Sequence, residues 1–349
     1  MIHNPYYYTG PLDPEEHKLV FVPRSEEISK IINKITWNQY WAILGPRQIG
    51  KSTFLRQIQH SHPQARYIYI DMSLFHNMES EELFYLNLIE RLKNSVPHEA
   101  MPNVDFHSKV GTPPEKMLDI LNKFKPINHS QPIVFLFDEI EWVPFFKNLL
   151  MLWRAIYHEK HQKENLKKYV VMIAGAIDLV KETIEAGSPF FNIANPLYLK
   201  DFEYPDAKRL IEKPLQHLNI SIEEEDEKFM IYHLNGHPQL LQHLCSILVE
   251  NAMKGNRSIS RKDIDKALDE LYKINTNLAL LKYEVQGNPE LEDLVKKVLK
   301  GKVINYSPYF HYTYSGTGPI IEGAVVEGKQ KSCSIRNDAY KEYLSAILQ

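Results

Sequence analysis

Short runs of β-branched and aromatic residues alternate with helix-like stretches over the first two hundred of the chain's 349 residues. The apolar runs are Trp41–Leu44, Arg66–Ile70, Ile133–Phe137 and Tyr169–Ile173, with Asn195–Lys200 as a fifth. Runs this short and this apolar match strands buried on both faces, which have no polar side to alternate with. Between them the spacing predicts helices over 25–35, 51–59, 80–93, 114–124 and 145–162. Strand and helix in alternation require crossover connections. The expectation is therefore an α/β fold: a mostly parallel sheet of about five strands with helices on both faces.

From Asp206 the strand signal gives way to helical patterns at 206–218, 223–234, 238–253 and 261–272, with Asn235-Gly-His-Pro238 as a sharp break. A further helix is expected over 275–299, then a Tyr- and Gly-rich stretch at 306–318. Strands at 320–327 and 332–335 and a closing helix from Asp338 complete the pattern. Helices followed by a short hairpin suggest a winged-helix-like module. The expected division is an α/β domain over 1–203, a helical domain over 204–273 and the winged-helix-like domain over 274–349, in keeping with a prior of roughly 150 residues per domain. No internal repeat is visible, which argues against a solenoid.

Composition narrows the class. Hydrophobic residues at 44% and charged residues at 24% belong to a folded globular chain. A net charge of -3 gives no global case for binding nucleic acid or an anionic membrane, so any basic patch must be local. Two cysteines, Cys245 and Cys333, are too few for a disulfide framework or a four-thiolate zinc site, and they read as reduced thiols of a cytoplasmic protein. No run approaches the roughly 18 apolar residues of a membrane span, and Met1–Gly10 is polar and Tyr-rich, without the basic start and apolar run of a secretory leader, so neither export nor anchoring is expected.

Gly45-Pro46-Arg47-Gln48-Ile49-Gly50-Lys51-Ser52 fits G-x-x-x-x-G-K-[ST] at every fixed position, follows the first expected strand and opens the helix at 51–59. Glycines allow the turns that aim successive N–H groups, together with the helix N-terminus, at phosphate oxygens. Lys51 supplies a point charge for the β- and γ-phosphates, and Thr53 follows in the first helical turn. The Ser52 hydroxyl is a hard oxygen donor suited to Mg²⁺. A second buried strand ends in Asp138-Glu139, where an open parallel sheet places its ligands. Asp138 is the candidate metal ligand. Glu139 is the candidate base for an attacking water. Two acids in that place also suit a helix start.

These residues resemble the AAA+-related STAND class of P-loop NTPases, in particular the bacterial AAA-like domain proteins. The resemblance spans nearly the whole chain. Besides the two motifs above, it is carried by Phe21-Val-Pro-Arg24, Ser188-Pro-Phe-Phe-Asn-Ile193, Leu199-Lys-Asp-Phe202, Gly236-His-Pro238 and Ile335-Arg-Asn-Asp-Ala-Tyr340. It implies ATP or ADP with Mg²⁺ as ligands, ATP hydrolysis and a nucleotide-dependent switch. It places Val22 and Arg24 beside the adenine and ribose, and His237 and Pro238 as the contribution of a helical lid, His237 being otherwise only a helix-start residue before Pro238. Pro23 stands where members with this arginine motif often carry glycine, and Arg24 is also spaced to pair with Glu27. The fourth strand runs into Ala174-Gly-Ala176, without the Asn, Thr or Arg that many AAA+ enzymes use to sense the γ-phosphate, a departure from the family that makes slow hydrolysis the expectation. Arg47 and Arg154 remain as cations for that phosphate, Arg154 as a candidate to act on a neighbour's site or otherwise as a solvated helix residue.

His158-Glu-Lys-His161 lacks metal-ligand spacing and a third ligand. Tyr6-Tyr-Tyr8 and the cluster Tyr306, Tyr309, Phe310, Tyr312 and Tyr314 have the character of base-stacking platforms, but no Arg or Lys lies between Ser307 and Ile320. Bases and acids nearly balance over 289–349, short of the stripe a DNA-binding module needs. Three readings compete: a regulatory ATPase switch with a protein partner, effector or self-association; an initiator-like DNA-binding ATPase; and a nucleotide-stabilised scaffold with little turnover.

Overall fold

The computed structural model describes residues 3–35, 38–96, 102, 106, 110–124, 131–175, 188–190, 192–255, 257–307, 316–326 and 330–348. The chain divides into two compact units. One comprises Arg24–Leu44 and Gln57–Tyr198, the other Met1–Pro23, Gly45–Arg56 and Leu199–Gln349. Residues 204–273 and 274–349 thus fall in one unit together.

The first unit holds a sheet of strands β1 (Tyr40–Leu44), β2 (Arg66–Asp71), β3 (Ile133–Asp138), β4 (Tyr169–Gly175) and β5 (Ala194–Tyr198), in the order β2-β3-β4-β1-β5. All four pairings are parallel. The central strands β1, β3 and β4 are buried at every position, whereas the edge strands β2 and β5 are only partly so. That difference explains why the central runs read as unbroken apolar segments. It also explains how Pro196, which has no N–H for a ladder, is accommodated in an edge strand. On one side of the sheet Trp153, from the helix Phe146–Glu159, packs its ring 4.8 Å from Phe135 and 5.9 Å from Phe137. Tyr40 and Tyr169 close on the same indole edgewise, an arrangement aromatic quadrupoles favour.

The second unit is mainly helical, with one apolar core running from Leu210 and Ile211 through Leu240, Leu244 and Leu271 to Val295 and Leu344. Its helices include Tyr204–Leu218, Glu224–Leu234, Pro238–Lys254, Arg261–Ile274, Thr276–Gly287 and Pro289–Leu299, followed by the antiparallel hairpin Ile320–Val326/Gln330–Ile335 and the helix Asp338–Ile347. The single helix expected over 275–299 is two. Asn288 accepts from the N–H groups of Glu290 and Leu291, both at 3.1 Å, and Pro289 opens the new helix, so the Asn-Pro pair stops one helix and caps the next. A two-residue parallel pair, Ser221–Ile222 with Ser258–Ile259, was not anticipated.

The start of the chain packs into this helical core. Asn4 donates to the Ser246 carbonyl at 3.0 Å, the buried Tyr6 hydroxyl donates to the Leu210 and Ile211 carbonyls, and Tyr8 stacks on His243 at 3.8 Å. Tyr6 and Tyr8 are therefore engaged in packing, and Tyr306 lies partly buried against the same core. Tyr309, Phe310, Tyr312 and Tyr314 lie outside the described residues, as do Ala176 and Phe191. Both cysteines are buried and free. Among the described residues no helix is long and apolar enough to cross a membrane, and no group of three or more His, Cys, Asp or Glu forms a metal site; His158 and His161 are exposed.

Candidate functional site

The loop Gly45–Ser52 turns left-handed at Gln48 (φ 60°) and Gly50 (φ 96°) before the helix Lys51–Ser61 begins, with the Phe54 N–H donating to the Gly50 carbonyl at 2.9 Å. Lys51 is buried, and its ammonium donates to the Gly45 and Pro46 carbonyls, each at 3.0 Å. Its charge is thereby held inside the loop. Ile49 is fully buried, Gln48 exposed, and Pro46, Arg47 and Ser52 half-buried. The Thr53 hydroxyl accepts from the Leu12 N–H at 3.0 Å, so this side chain anchors the start of the chain. The Arg47 N–H donates to the Gly316 carbonyl at 2.6 Å.

In the sheet unit, the chain leaves β1 and β3 at the same edge: Leu44 pairs with Gly175 of β4, and Phe137 with Ile173 two residues earlier. Asp138, the last residue of β3, is 2% exposed. The Tyr69 hydroxyl donates to its Oδ2 at 2.6 Å, and the Glu139 N–H lies 3.1 Å from its Oδ1. Tyr69 was missed in the sequence, although its position is derivable. Asp71 pairs with Asp138, so the two share a sheet face, and Tyr69 lies two residues before Asp71 on that face. The Asp71 carboxylate is itself occupied, accepting from the Ser73 N–H and hydroxyl.

Glu139 adopts a left-handed conformation, φ 54° and ψ 41°, which costs a residue with a side chain about 1 kcal/mol or more. Two bonds hold it there: the Trp142 N–H donates to its carbonyl at 3.1 Å, and the Trp142 indole N–H to its Oε2 at 3.0 Å. Such outliers concentrate at functional sites, and this one falls on the candidate base. Trp142 carried no signal in the sequence, since an aromatic residue three positions after an acid is common in a turn.

The remaining candidates lie as follows. Val22 is buried in the helical core. Arg24 is 8% exposed; its N–H donates to Gln57 at 3.1 Å and its guanidinium lies 4.0 Å from Glu27. Arg154 donates to the Pro189 carbonyl at 2.9 Å, so it is tied to the segment after the fourth strand rather than simply solvated. Pro238 is buried at the start of its helix, and His237, the residue before it, is 0% exposed, its ring Nε2 3.4 Å from the Tyr340 hydroxyl. Burial, with the neighbouring Arg336 charge adding to it, holds the His237 pKa well below the usual histidine range.

A family model described as AAA-like domain matches residues 13–346. The chain belongs to the AAA-like domain family. Structurally the AAA-like chain is similar to a Walker-type ATPase of Pyrococcus abyssi, with a TM-score of 0.66 and 16% identity over 98% of this chain and 99% of that one. It is also similar to Cdc6p from Pyrobaculum aerophilum, with a TM-score of 0.53 and 13% identity over 97% of this chain and 98% of that one. The RuvB Holliday junction branch migration motor of Thermotoga maritima matches with a TM-score of 0.50 and 13% identity over 95% and 97% of the two chains. No curated protein gives a significant sequence match. At these identities the likeness carries the fold, that of P-loop NTPases, and not the partners of the proteins named.

Proposed function

We propose that this AAA-like protein is a regulatory ATPase of the STAND type, binding ATP with Mg²⁺, hydrolysing it slowly and changing state with the nucleotide it holds. The observation that carries the proposal is one sheet edge: the phosphate loop follows β1 and Asp138-Glu139 ends β3 at the same edge of a parallel sheet, where such sheets bind ligands. In this reading the loop N–H groups, the N-terminus of the helix Lys51–Ser61 and the Lys51 ammonium hold the phosphates. Ser52 and Asp138 would hold Mg²⁺. They are oxygen donors of the kind it prefers, and one carboxylate suffices for an ion that otherwise binds phosphates and water. When bound, the ion supplies neutralisation of phosphate charge. Tyr69 orients the Asp138 carboxylate, as hydrogen-bonded second partners do at metal sites.

Glu139 would accept a proton from the attacking water once its carboxylate turns from Trp142. Slow turnover follows from β4, whose end, Ile173-Ala174-Gly175, offers no polar side chain. Val22, Arg24 and Pro238 take the base and lid positions, and Arg154 the trans-acting role, on family likeness alone. His237 joins them only if the turn around it opens, since its ring is wholly covered. A protein partner or a second copy of the chain would then read the state of the helical unit, whose last segments, 274–349, are taken as the winged-helix-like module. The balanced charge of 289–349 ranks DNA below a protein partner.

Glu139→Gln tests the chemistry. The amide keeps the shape and cannot take the proton, so nucleotide affinity should be retained while steady-state phosphate release falls by about 10² to 10⁴. Equal turnover in the variant would remove Glu139 from the reaction.

A further inference from the structure

We propose that the Gly316–Thr317 turn is an intrachain plug of the phosphate loop, which nucleotide must displace in order to bind; the inference rests on the nucleotide-binding reading above and adds the regulation of that site. The plug occupies the loop with an oxygen of the chain's own. The Gly316 carbonyl accepts the Arg47 N–H at 2.6 Å, giving a loop donor the kind of acceptor that a phosphate oxygen would otherwise provide. The Lys51 ammonium, a group with three donors, leans on the loop's own Gly45 and Pro46 carbonyls whether or not the turn is seated. The turn itself answers one loop N–H.

The turn is held from behind. The Glu284 carboxylate accepts the Gly316 N–H at 3.2 Å, the Thr317 N–H at 2.9 Å and the Thr317 hydroxyl at 2.7 Å. Thr317 is 0% exposed. Its carbonyl accepts from Arg336 at 3.0 Å, and Arg336, which follows the hairpin, is also paired through two nitrogens with Asp201. Bidentate pairing of this kind fixes direction as well as energy. A Cβ on residue 316 would meet Arg47 Nε at 2.8 Å and Glu284 Oε1 at 3.0 Å, so one of those two side chains would have to move aside. The phosphate loop is thereby joined through Gly316, Thr317 and Arg336 to the hairpin and the closing helix.

A neutral carbonyl is a weaker partner for the loop than an anionic phosphate, whose hydrogen bonds are charge-assisted. Nucleotide therefore displaces the plug at sufficient concentration, and its apparent affinity is reduced by the fraction of molecules in which the turn is seated. Displacement frees the Gly316 carbonyl and loosens the Glu284 contacts, which turns loop occupancy into a change in the segment beside the hairpin.

The test uses the full chain, fluorescent ATP with Mg²⁺, and hydrogen exchange at the amides of residues 316–318. Glu284→Ala removes the support of the turn, and Gly316→Ala wedges it from Arg47. Each should tighten ATP binding about tenfold over wild type. In wild type, saturating ATP should speed exchange of the Gly316 and Thr317 amides. Equal affinity in all three proteins, or weaker binding in both variants, would overturn the plug and leave the nucleotide reading standing. ATP binding that leaves those amides unchanged would also overturn it. If none of the three proteins binds ATP, both the plug and the proposed function fall.

Discussion

A carboxylate as buried as Asp138 persists because donors are placed for it, here the Tyr69 hydroxyl and the Glu139 N–H. A buried base is treated in the opposite way. His243 is stacked on Tyr8, and its Nδ1 lies 2.9 Å from the Asn275 amide nitrogen, an arrangement that suits the neutral ring as acceptor. Asn275 is fixed in turn, since its oxygen accepts the N–H groups of Asn277 and Leu278 at the start of a helix. Burial drives the His243 pKa down to about 4, against roughly 6.5 in an unfolded chain. Between those values the unfolded chain binds a proton that the folded one refuses. Stability is therefore complete above about pH 6.5 and falls as the pH drops toward 4. His237, also lowered by burial, acts in the same direction. Urea midpoints measured from pH 7.5 to pH 4.5 should decline through this window; a flat profile would contradict the neutral, buried assignment.

At the scale of elements, Asn235-Gly-His-Pro238 joins two helices with one task for each residue. Asn235 caps the first helix in a left-handed conformation, Gly236 continues the turn at φ 66°, His237 returns to extended backbone and Pro238 opens the next helix. The Gly236 carbonyl also accepts the Phe202 N–H at 2.9 Å, which brings the two backbones so close that a Cβ on Gly236 would meet the Phe202 carbonyl oxygen at 2.1 Å. Gly236→Ala should cost about 2 to 4 kcal/mol through clash and backbone strain together, read as a lower thermal midpoint. An unchanged midpoint would mean that the turn adjusts freely. This break was legible in the sequence because all four residues are adjacent, and the central strands were legible because each is apolar throughout. The break at Asn288-Pro289 was missed because apolar positions at helical spacing continue on both sides of it, at Leu278, Leu281 and Val285 and then Leu291 and Val295. The two-residue pair at 221–222 and 258–259 is too short to show any period. The site divides in the same way. Gly45–Ser52 and Asp138-Glu139 are contiguous motifs, whereas Tyr69, Glu284 and Gly316 reach their partners across the fold, where sequence spacing carries no information.

For the whole molecule, membership of the AAA-like family, a five-stranded parallel sheet and the loop Gly45–Ser52 that follows its first strand are what the nucleotide-binding proposal rests on. The stacking of Tyr8 on His243 and the balanced charge of 289–349 give little support to a nucleic-acid platform. Everything proposed about switching depends on the phosphate loop accepting a nucleotide in place of the chain's own carbonyls. Isothermal calorimetry with ATP, with and without Mg²⁺, on wild type and Lys51→Ala addresses this most directly. The charge-assisted contacts of one lysine to phosphate are worth about 1.5 to 3 kcal/mol. Wild type should bind in a Mg²⁺-dependent manner, and Lys51→Ala should bind at least ten- to a hundredfold more weakly. ATP bound as tightly by Lys51→Ala as by wild type would contradict the account.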